Sequence, residues 1–213
     1  MLQVAEIFRS IQGESTEAGL PYCFVRLSGC NLDCAYCDTL YARREAGRAM
    51  HAVEIVSQLR LYGIGRVCVT GGEPLHQAET PGLLAMLVAN GFSTMVETNG
   101  SYDIRVVPKG VKRVMDIKTP GSGMSEKMRW ENLARLTRQD EIKIVCCSRG
   151  DYEWTRDLLG RRRFYETCPV LLSPAHGRLA PRELAEWIVK DRLPVRFQLQ
   201  LHRVLWPDRE RGV

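Results

Sequence analysis

Gly29-Cys30-Asn31-Leu32-Asp33-Cys34-Ala35-Tyr36-Cys37-Asp38 carries three thiols at C-x3-C-x2-C spacing. They belong to a set of eight cysteines in 213 residues. The N-terminus, MLQVAEIFRS, shows no charged region leading into an apolar stretch and a small-residue cleavage site, so no secretory signal is read there. A cytoplasmic location is expected, and the cytosol is reducing. Clustered thiols then point to metal or redox chemistry rather than disulfides. Three thiolates on one loop can grip three corners of a 4Fe–4S cubane. A cluster ligated wholly by protein takes four cysteines. Cys23 lies seven residues before Cys30 on an expected strand and is only a distant fourth ligand. One iron is therefore left open, as a catalytic metal requires. Structural zinc and chance clustering are the alternatives. Zinc sites pair two C-x2-C groups or add a histidine pair, whereas His51, His76, His176 and His202 are scattered singly. Cys23, Cys68, Cys146 and Cys147 lie in or beside apolar runs and read as small buried hydrophobes.

Outward from this loop, short β-rich runs alternate with amphipathic segments. Strands are expected at Cys23–Leu27, Arg66–Thr70, Ser93–Glu97, Arg113–Ile117, Glu141–Cys146, Val170–Leu172 and Arg196–Leu201. His51–Leu61 places Val53, Val56 and Leu59 at helical spacing. Pro81–Asn90 stacks Leu83, Leu84, Leu87 and Val88, and Gly91 offers a stop. Pro181 opens a further helix with Leu184, Ala185 and Ile188. Strands alternating with helices imply a parallel sheet with right-handed crossovers. The helical signal is weak between Ser101 and Val111 and between Gly121 and Arg129. The fold class is therefore α/β: an incomplete (β/α) barrel of about six parallel strands with some helices reduced, forming one domain over residues 1–213. Function belongs at the carboxyl ends of the strands.

Composition narrows the partners. Hydrophobic residues make up 45% and charged residues 26%, which is ordinary for a soluble globular chain. No apolar run approaches the roughly 20 residues needed to span a bilayer, so no membrane partner is expected. The net charge of +5 is spread along the chain, and no direct nucleic-acid partner is expected. Its densest run, Arg161-Arg162-Arg163, reads as a solvated loop or helix face, with an anionic partner as the alternative.

Three strand ends carry further candidates. Val67-Cys68-Val69-Thr70-Gly71-Gly72-Glu73-Pro74 offers two glycines that let backbone approach a ligand, and a carboxylate that can steer toward a cationic amine. A simple turn is the alternative. Glu97, in Val96-Glu97-Thr98-Asn99-Gly100, can bind ribose hydroxyls or substrate, or else Asn99-Gly100 is an ordinary turn. Lys118, in Asp116-Ile117-Lys118-Thr119-Pro120, faces cofactor or substrate, or else is a surface lysine.

The C-x3-C-x2-C loop, with aromatic Tyr36 before its last cysteine, resembles the radical S-adenosylmethionine superfamily. Glu6-Ile7-Phe8-Arg9-Ser10-Ile11-Gln12-Gly13-Glu14-Ser15, Phe24-Val25-Arg26-Leu27-Ser28-Gly29 and Gln198-Leu199-Gln200-Leu201-His202-Arg203, followed by Trp206-Pro207, extend the likeness over nearly the whole chain. There it resembles the 7-carboxy-7-deazaguanine synthase family of queuosine and deazapurine biosynthesis.

The resemblance implies a barrel of the radical S-adenosylmethionine type and a 4Fe–4S cluster on Cys30, Cys34 and Cys37. In that superfamily S-adenosylmethionine chelates the open iron, an electron cleaves its sulfonium bond, and the adenosyl radical takes a hydrogen atom from substrate. For this family the substrate is 6-carboxy-5,6,7,8-tetrahydropterin, and the product is 7-carboxy-7-deazaguanine with loss of ammonia. Carried over residue by residue, Tyr36, Asp38, Gly72, Glu73, Asp116, Lys118 and Ser173 contact S-adenosylmethionine. Ile11, Gln12, Gly13, Glu14, Arg26, Thr70, Glu97 and His202 contact substrate, with His202 closing the pocket from the last strand or else being a structural histidine. Arg26 suits a bidentate pair with the substrate carboxylate. Thr39 matches the hydroxyl ligand of Mg²⁺, with a loop cap as the alternative. A homodimer and an external donor, reduced flavodoxin or similar, are also implied. Asp116-Ile117-Lys118 stands where some members have serine-proline-lysine, Ser173-Pro174-Ala175-His176 departs from familiar wording, and the chain runs past Pro207 where some members end. The competing readings are a glycyl-radical enzyme activase, which shares the loop spacing, and a zinc-stabilised binding module.

Overall fold

The computed structural model describes residues 1–213. Nine strands form one sheet: β1 (Leu2–Ile11), β2 (Pro21–Leu27), β3 (Arg48–Met50), β4 (Arg66–Gly71), β5 (Ser93–Thr98), β6 (Val111–Ile117), β7 (Glu141–Cys146), β8 (Val170–Pro174) and β9 (Arg196–Phe197). The helices are α1 (Leu40–Arg44), α2 (Ala52–Leu61), α3 (Thr80–Ala89), α4 (Arg149–Arg162), α5 (Pro181–Asp191) and α6 (Leu201–Leu205).

The sheet order is β3-β1-β2-β4-β5-β6-β7-β8-β9, and its two edge strands do not pair with each other. From β2 to β9 every pairing is parallel, which joins seven strands where about six were expected. The incomplete barrel expected from the sequence is what forms. Between β5 and β6, and between β6 and β7, only 3-10 turns occur, at Ile104–Val106, Pro120–Ser122, Ser125–Lys127 and Trp130–Arg135. Those are the crossovers whose helical signal was weak. Gly91 ends α3 with a positive φ of 82°, as expected. Pro181 occupies the first turn of α5.

Several elements were not foreseen. β1 pairs antiparallel with both β2 and β3. A bulge between Val4 and Glu6 shifts its register, from Val4 opposite Leu27 to Glu6 opposite Arg26. Leu2 and Val4 therefore join the large core, whereas Phe8 joins a separate cluster on the other face. One extra residue flips the side-chain alternation, so no single period runs through the strand. The expected strand Arg196–Leu201 is a correction: pairing stops at Phe197, and α6 begins at Leu201. Gln198 N still donates to Leu172 O on β8 at 2.9 Å, while its side chain accepts from Ser15 N at 3.0 Å and donates to Ser15 O at 2.8 Å. α4 was also missed. It starts on Ser148, whose hydroxyl accepts from Asp151 N. Exposed Arg161 and Arg162 close its last turn, where cations complement the helix dipole.

Strand periodicity sorts the two faces of the sheet. On the outer face Val25, Val67, Val96, Ile142 and Leu172 pack against Leu59, Leu83, Leu87 and Leu184 of the helices. On the inner face Phe8, Tyr22, Phe24, Cys68, Met95 and Val114 make a smaller apolar layer, in which Phe8 and Phe24 stack at 5.0 Å. Two residues further along these strands the same face carries Arg26, Thr70, Glu97 and Asp116. An apolar floor thus changes to a charged rim at the carboxyl ends. No helix is long and apolar enough to cross a membrane.

Candidate active site

The rim opens into a cavity of about 440 Å³. Cys30, Cys34, Cys37, Tyr36 and Thr39 line the side of the cluster loop, from which Asp38 turns its carboxylate toward Gln200 and Arg203. Ile11, Gln12, Gly13, Glu14, Arg26 and His202 line the other, and Thr70, Gly72, Glu97, Asp116 and Lys118 lie between. Of the residues singled out in the sequence, only Glu73 and Ser173 are absent from the lining.

The three thiols are partly exposed and unbonded to one another. No three His, Cys, Asp or Glu side chains stand close enough to share a single metal ion. Three thiols from one loop lining one cavity are a donor set for three corners of a cubane. Polar groups already surround the sulfurs: Leu32 N lies 3.5 Å and Asn99 Nδ2 3.9 Å from Cys30 Sγ, and Thr39 Oγ1 lies 4.0 Å from Cys37 Sγ. Burial pushes the Cys34 thiol up to about 11. A coordinating metal deprotonates such a thiol outright. Thr39 precedes α1, yet its hydroxyl makes no capping bond there.

Beside the cluster loop, Lys118 Nζ donates to Asp116 Oδ2 at 2.8 Å and lies 5.5 Å from the centre of the Tyr36 ring. Burial works against the Lys118 charge, but Asp116, Tyr36 and Cys34 outweigh it and hold the ammonium well above its ordinary value. Asp116 Oδ1 and Tyr36 Oη are buried without a partner. Orphaned polar atoms are uncommon in native interiors. On two cavity-lining residues beside the thiols, they fit a polar cofactor.

At the other end, Gln12 Nε2 reaches Met95 Sδ at 3.5 Å, and its Oε1 accepts from Glu14 N at 3.2 Å. Glu14 Oε1 accepts from Gln200 Nε2 at 2.8 Å, and Oε2 pairs with Lys143 Nζ. Burial pushes Glu14 up, but Lys143 and His202 outweigh it and hold the carboxyl below its ordinary value. Asp38 is likewise lowered, with Lys143, Arg203 and His202 overcoming its burial. Glu97 is raised, because burial and the neighbouring Glu14 outweigh Lys143 and the bond from Thr70 Oγ1 at 3.1 Å. Arg26 Nε donates to Glu6 Oε1 at 2.8 Å, and its terminal nitrogens make no bond within the chain. His202 lies on α6 rather than on a strand. Leu201 N donates to Gly13 O at 3.0 Å, which lays the imidazole against Gly13. Burial lowers His202, partly offset by Glu14 and Asp38.

Glu73 and Ser173 take other places. Glu73 is fully buried, and its carboxylate accepts from Leu75 N at 2.9 Å, Thr98 Oγ1 at 2.8 Å and Asn99 N at 2.6 Å. It ties the end of β4 to the end of β5 and turns no carboxylate oxygen to the cavity. Ser173 is fully buried with an unpartnered hydroxyl, while Ala175 and His176 of the same loop line the cavity. Lys143, Asn99, Gln200 and Arg203 also line it without having been foreseen. Lys143 had a readable signal: it is the one charge inside the run Ile142-Lys143-Ile144-Val145-Cys146. Arg203 NH2 donates to Asp38 O at 3.1 Å across 165 positions, a contact with no local trace.

Residues 24–117 match the radical SAM superfamily. The chain is 43% identical over 215 residues to the 7-carboxy-7-deazaguanine synthase of Chlorobaculum tepidum, covering 100% of this chain and 97% of that one. It is 39% identical over 227 residues to the enzyme of the same name from Koribacter versatilis, covering 100% of both. Among solved structures, QueE from Escherichia coli superposes with a TM-score of 0.74 at 22% identity, covering 93% of each chain. Streptococcus suis SuiB bound to S-adenosylmethionine gives 0.59 at 16% identity, over 80% of this chain and 48% of that one. At these identities the two structures bear on the fold alone.

Proposed function

The chain belongs to the 7-carboxy-7-deazaguanine synthase family, and from that premise we propose how its cavity carries out the family's reaction. The protein is a radical S-adenosylmethionine lyase that converts 6-carboxy-5,6,7,8-tetrahydropterin to 7-carboxy-7-deazaguanine with loss of ammonia. When bound, the 4Fe–4S cluster and S-adenosylmethionine supply the radical chemistry that starts the ring contraction. Everything else falls to the residues of the chain.

The observation that carries the reading is one cavity with three cysteine thiols at one end and Glu14 with Arg26 at the other. Cys30, Cys34 and Cys37 hold the cluster. Lys118, Asp116 and Tyr36 face S-adenosylmethionine, and Gly72 lines the same cavity, its lack of a side chain letting the cluster loop pack against it at Gly29. Gln12 and the ionised Glu14 receive the N–H donors of the pterin edge, and the free guanidinium nitrogens of Arg26 take its carboxylate. Glu97, raised by burial, suits a carboxyl that holds or releases a proton near the substrate as ammonia leaves. Gln200, His202 and Arg203 close the cavity and exclude water. Thr39, whose hydroxyl caps nothing, is our proposed protein ligand for Mg²⁺, an ion that needs few protein ligands when a substrate carboxylate is at hand.

Resemblance to the family supports a homodimer and an external electron donor such as reduced flavodoxin. The unbroken sheet supports one domain over residues 1–213. Eight free cysteines suit a reducing, cytoplasmic location.

The test is anaerobic incubation of the reduced protein with S-adenosylmethionine and the carboxypterin. The expected product is 7-carboxy-7-deazaguanine, and its absence would refute the assignment. Metal analysis of the same sample separates the zinc module: iron and sulfide are expected, and zinc without them would sink the radical reading.

A further inference from the structure

Lys143 stands in the middle of β7, with Asp116 opposite it on β6. Its side chain is 13% exposed, and its ammonium pairs with Glu14 from the loop after β1. Asp116 and Glu97 are also close enough to favour its charge. With Asp38, whose charge Lys143 also favours, four carboxylates surround one lysine, yet the ion pair is made with Glu14 alone. Gln200 holds the other Glu14 oxygen at 2.8 Å. A carboxylate has about four acceptor sites. Lys143 and Gln200 take one on each oxygen, so each oxygen keeps one for a ligand. Stability alone is a weak reason for such a pair, because apolar side chains of similar volume often serve as well. The pair also sits in the cavity wall rather than in the core under the helices.

We propose that Lys143 is a positioning residue for the substrate: it fixes the Glu14 carboxylate so that both oxygens meet two adjacent N–H donors of a planar ring, and it thereby selects a ligand with an amidine edge. The inference rests on the pterin reading above, and it assigns a role to a residue outside the motifs that carried that reading. Lys143 acts through Glu14, and its one direct bond is made there rather than to a thiol or to Lys118.

The experiment measures dissociation constants on the cluster-loaded protein with S-adenosylmethionine present, by anaerobic calorimetry. The ligands are the carboxypterin and an analogue with oxygen in place of its exocyclic amine. Lys143→Met is expected to weaken carboxypterin binding about ten- to a hundredfold, the scale of one charge-assisted hydrogen bond. Binding of S-adenosylmethionine and of the analogue should barely change. Glu14→Gln should weaken the carboxypterin as well, and the double variant should match Glu14→Gln rather than multiply the two losses. If Lys143→Met does not load the cluster, Lys143→Gln takes its place, with the same loss expected. An unchanged carboxypterin constant, equal losses for both ligands, or multiplying losses in the double variant would overturn the role of Lys143. Failure of the unsubstituted protein to bind the carboxypterin would instead overturn the reading on which the inference rests.

Discussion

Glu6 and Arg26 form an ion pair across β1 and β2, with Nε donating to Oε1 at 2.8 Å and side chains 16% and 12% exposed. Tyr41 Oη donates to the same Glu6 oxygen at 2.6 Å, and Gly212 N to the other at 3.0 Å. Glu6 is thus an anchor that sets where the Arg26 guanidinium points. The bulge before Glu6 makes this possible, because it turns Glu6 onto the face that carries Arg26.

Arg26→Ala is expected to weaken carboxypterin binding by about 1.5–3 kcal/mol, the scale of a hydrogen bond to a charged group. Glu6→Ala should cost less, about tenfold in affinity, since the guanidinium survives but is no longer aimed. Calorimetric titration of the two variants checks both values. Equal affinity in Glu6→Ala and the parent would show that Arg26 needs no anchor.

Cys34→Ala removes one of three thiols on the cluster loop. The variant should lose cluster iron and all reductive cleavage of S-adenosylmethionine, while the sheet keeps its circular dichroism. Cleavage that survived the substitution would mean the ligand set is wrong.

A Cβ on Gly13 would overlap the His202 ring and lie 3.2 Å from His202 N. Gly13→Ala should therefore push α6 off the substrate loop. Its thermal midpoint should fall, and Gly13→Ala combined with His202→Ala should recover part of the loss. A midpoint as low in the double variant as in Gly13→Ala would place the strain elsewhere.

Burial pushes Glu73 up to about 7 from an ordinary 4.5, against the donors from Asn99, Leu75 and Thr98. Between those values the native state keeps a proton that the unfolded chain has released. The stabilisation from this group is thus complete below about 4.5 and is lost as pH rises through about 7, a change of about 3 kcal/mol. Glu73→Gln, which cannot titrate, should lack this slope. Thermal midpoints of parent and variant between pH 4.5 and 8 measure it, and parallel curves would show that Glu73 titrates normally.

Much of the site was readable because its parts are local. Thr70, Glu97 and Asp116 each end a strand whose composition is plain, and the sheet brings such ends together whatever the loops do. The residues with unforeseen partners have another property in common. Glu73 lies two residues past the end of β4, and Thr98 and Asn99 at the end of β5 claim its oxygens. Lys143 and Glu14 are 129 positions apart, and Arg203 reaches Asp38 across 165.

By itself, the sequence determined the cluster loop, the parallel α/β frame and the crossovers that lack helices. Covalent spacing sets how three cysteines on eight residues can meet a cubane, and a hydrophobic period reports one element at a time. Only the tertiary structure decided which charged partner each cavity side chain meets. It also decided that β1 changes face at its bulge, and that the last expected strand turns into α6 against Gly13. Those outcomes depend on strand register and on burial energies shared among several groups, and a one-residue shift in register would have turned Lys143 away from Glu14.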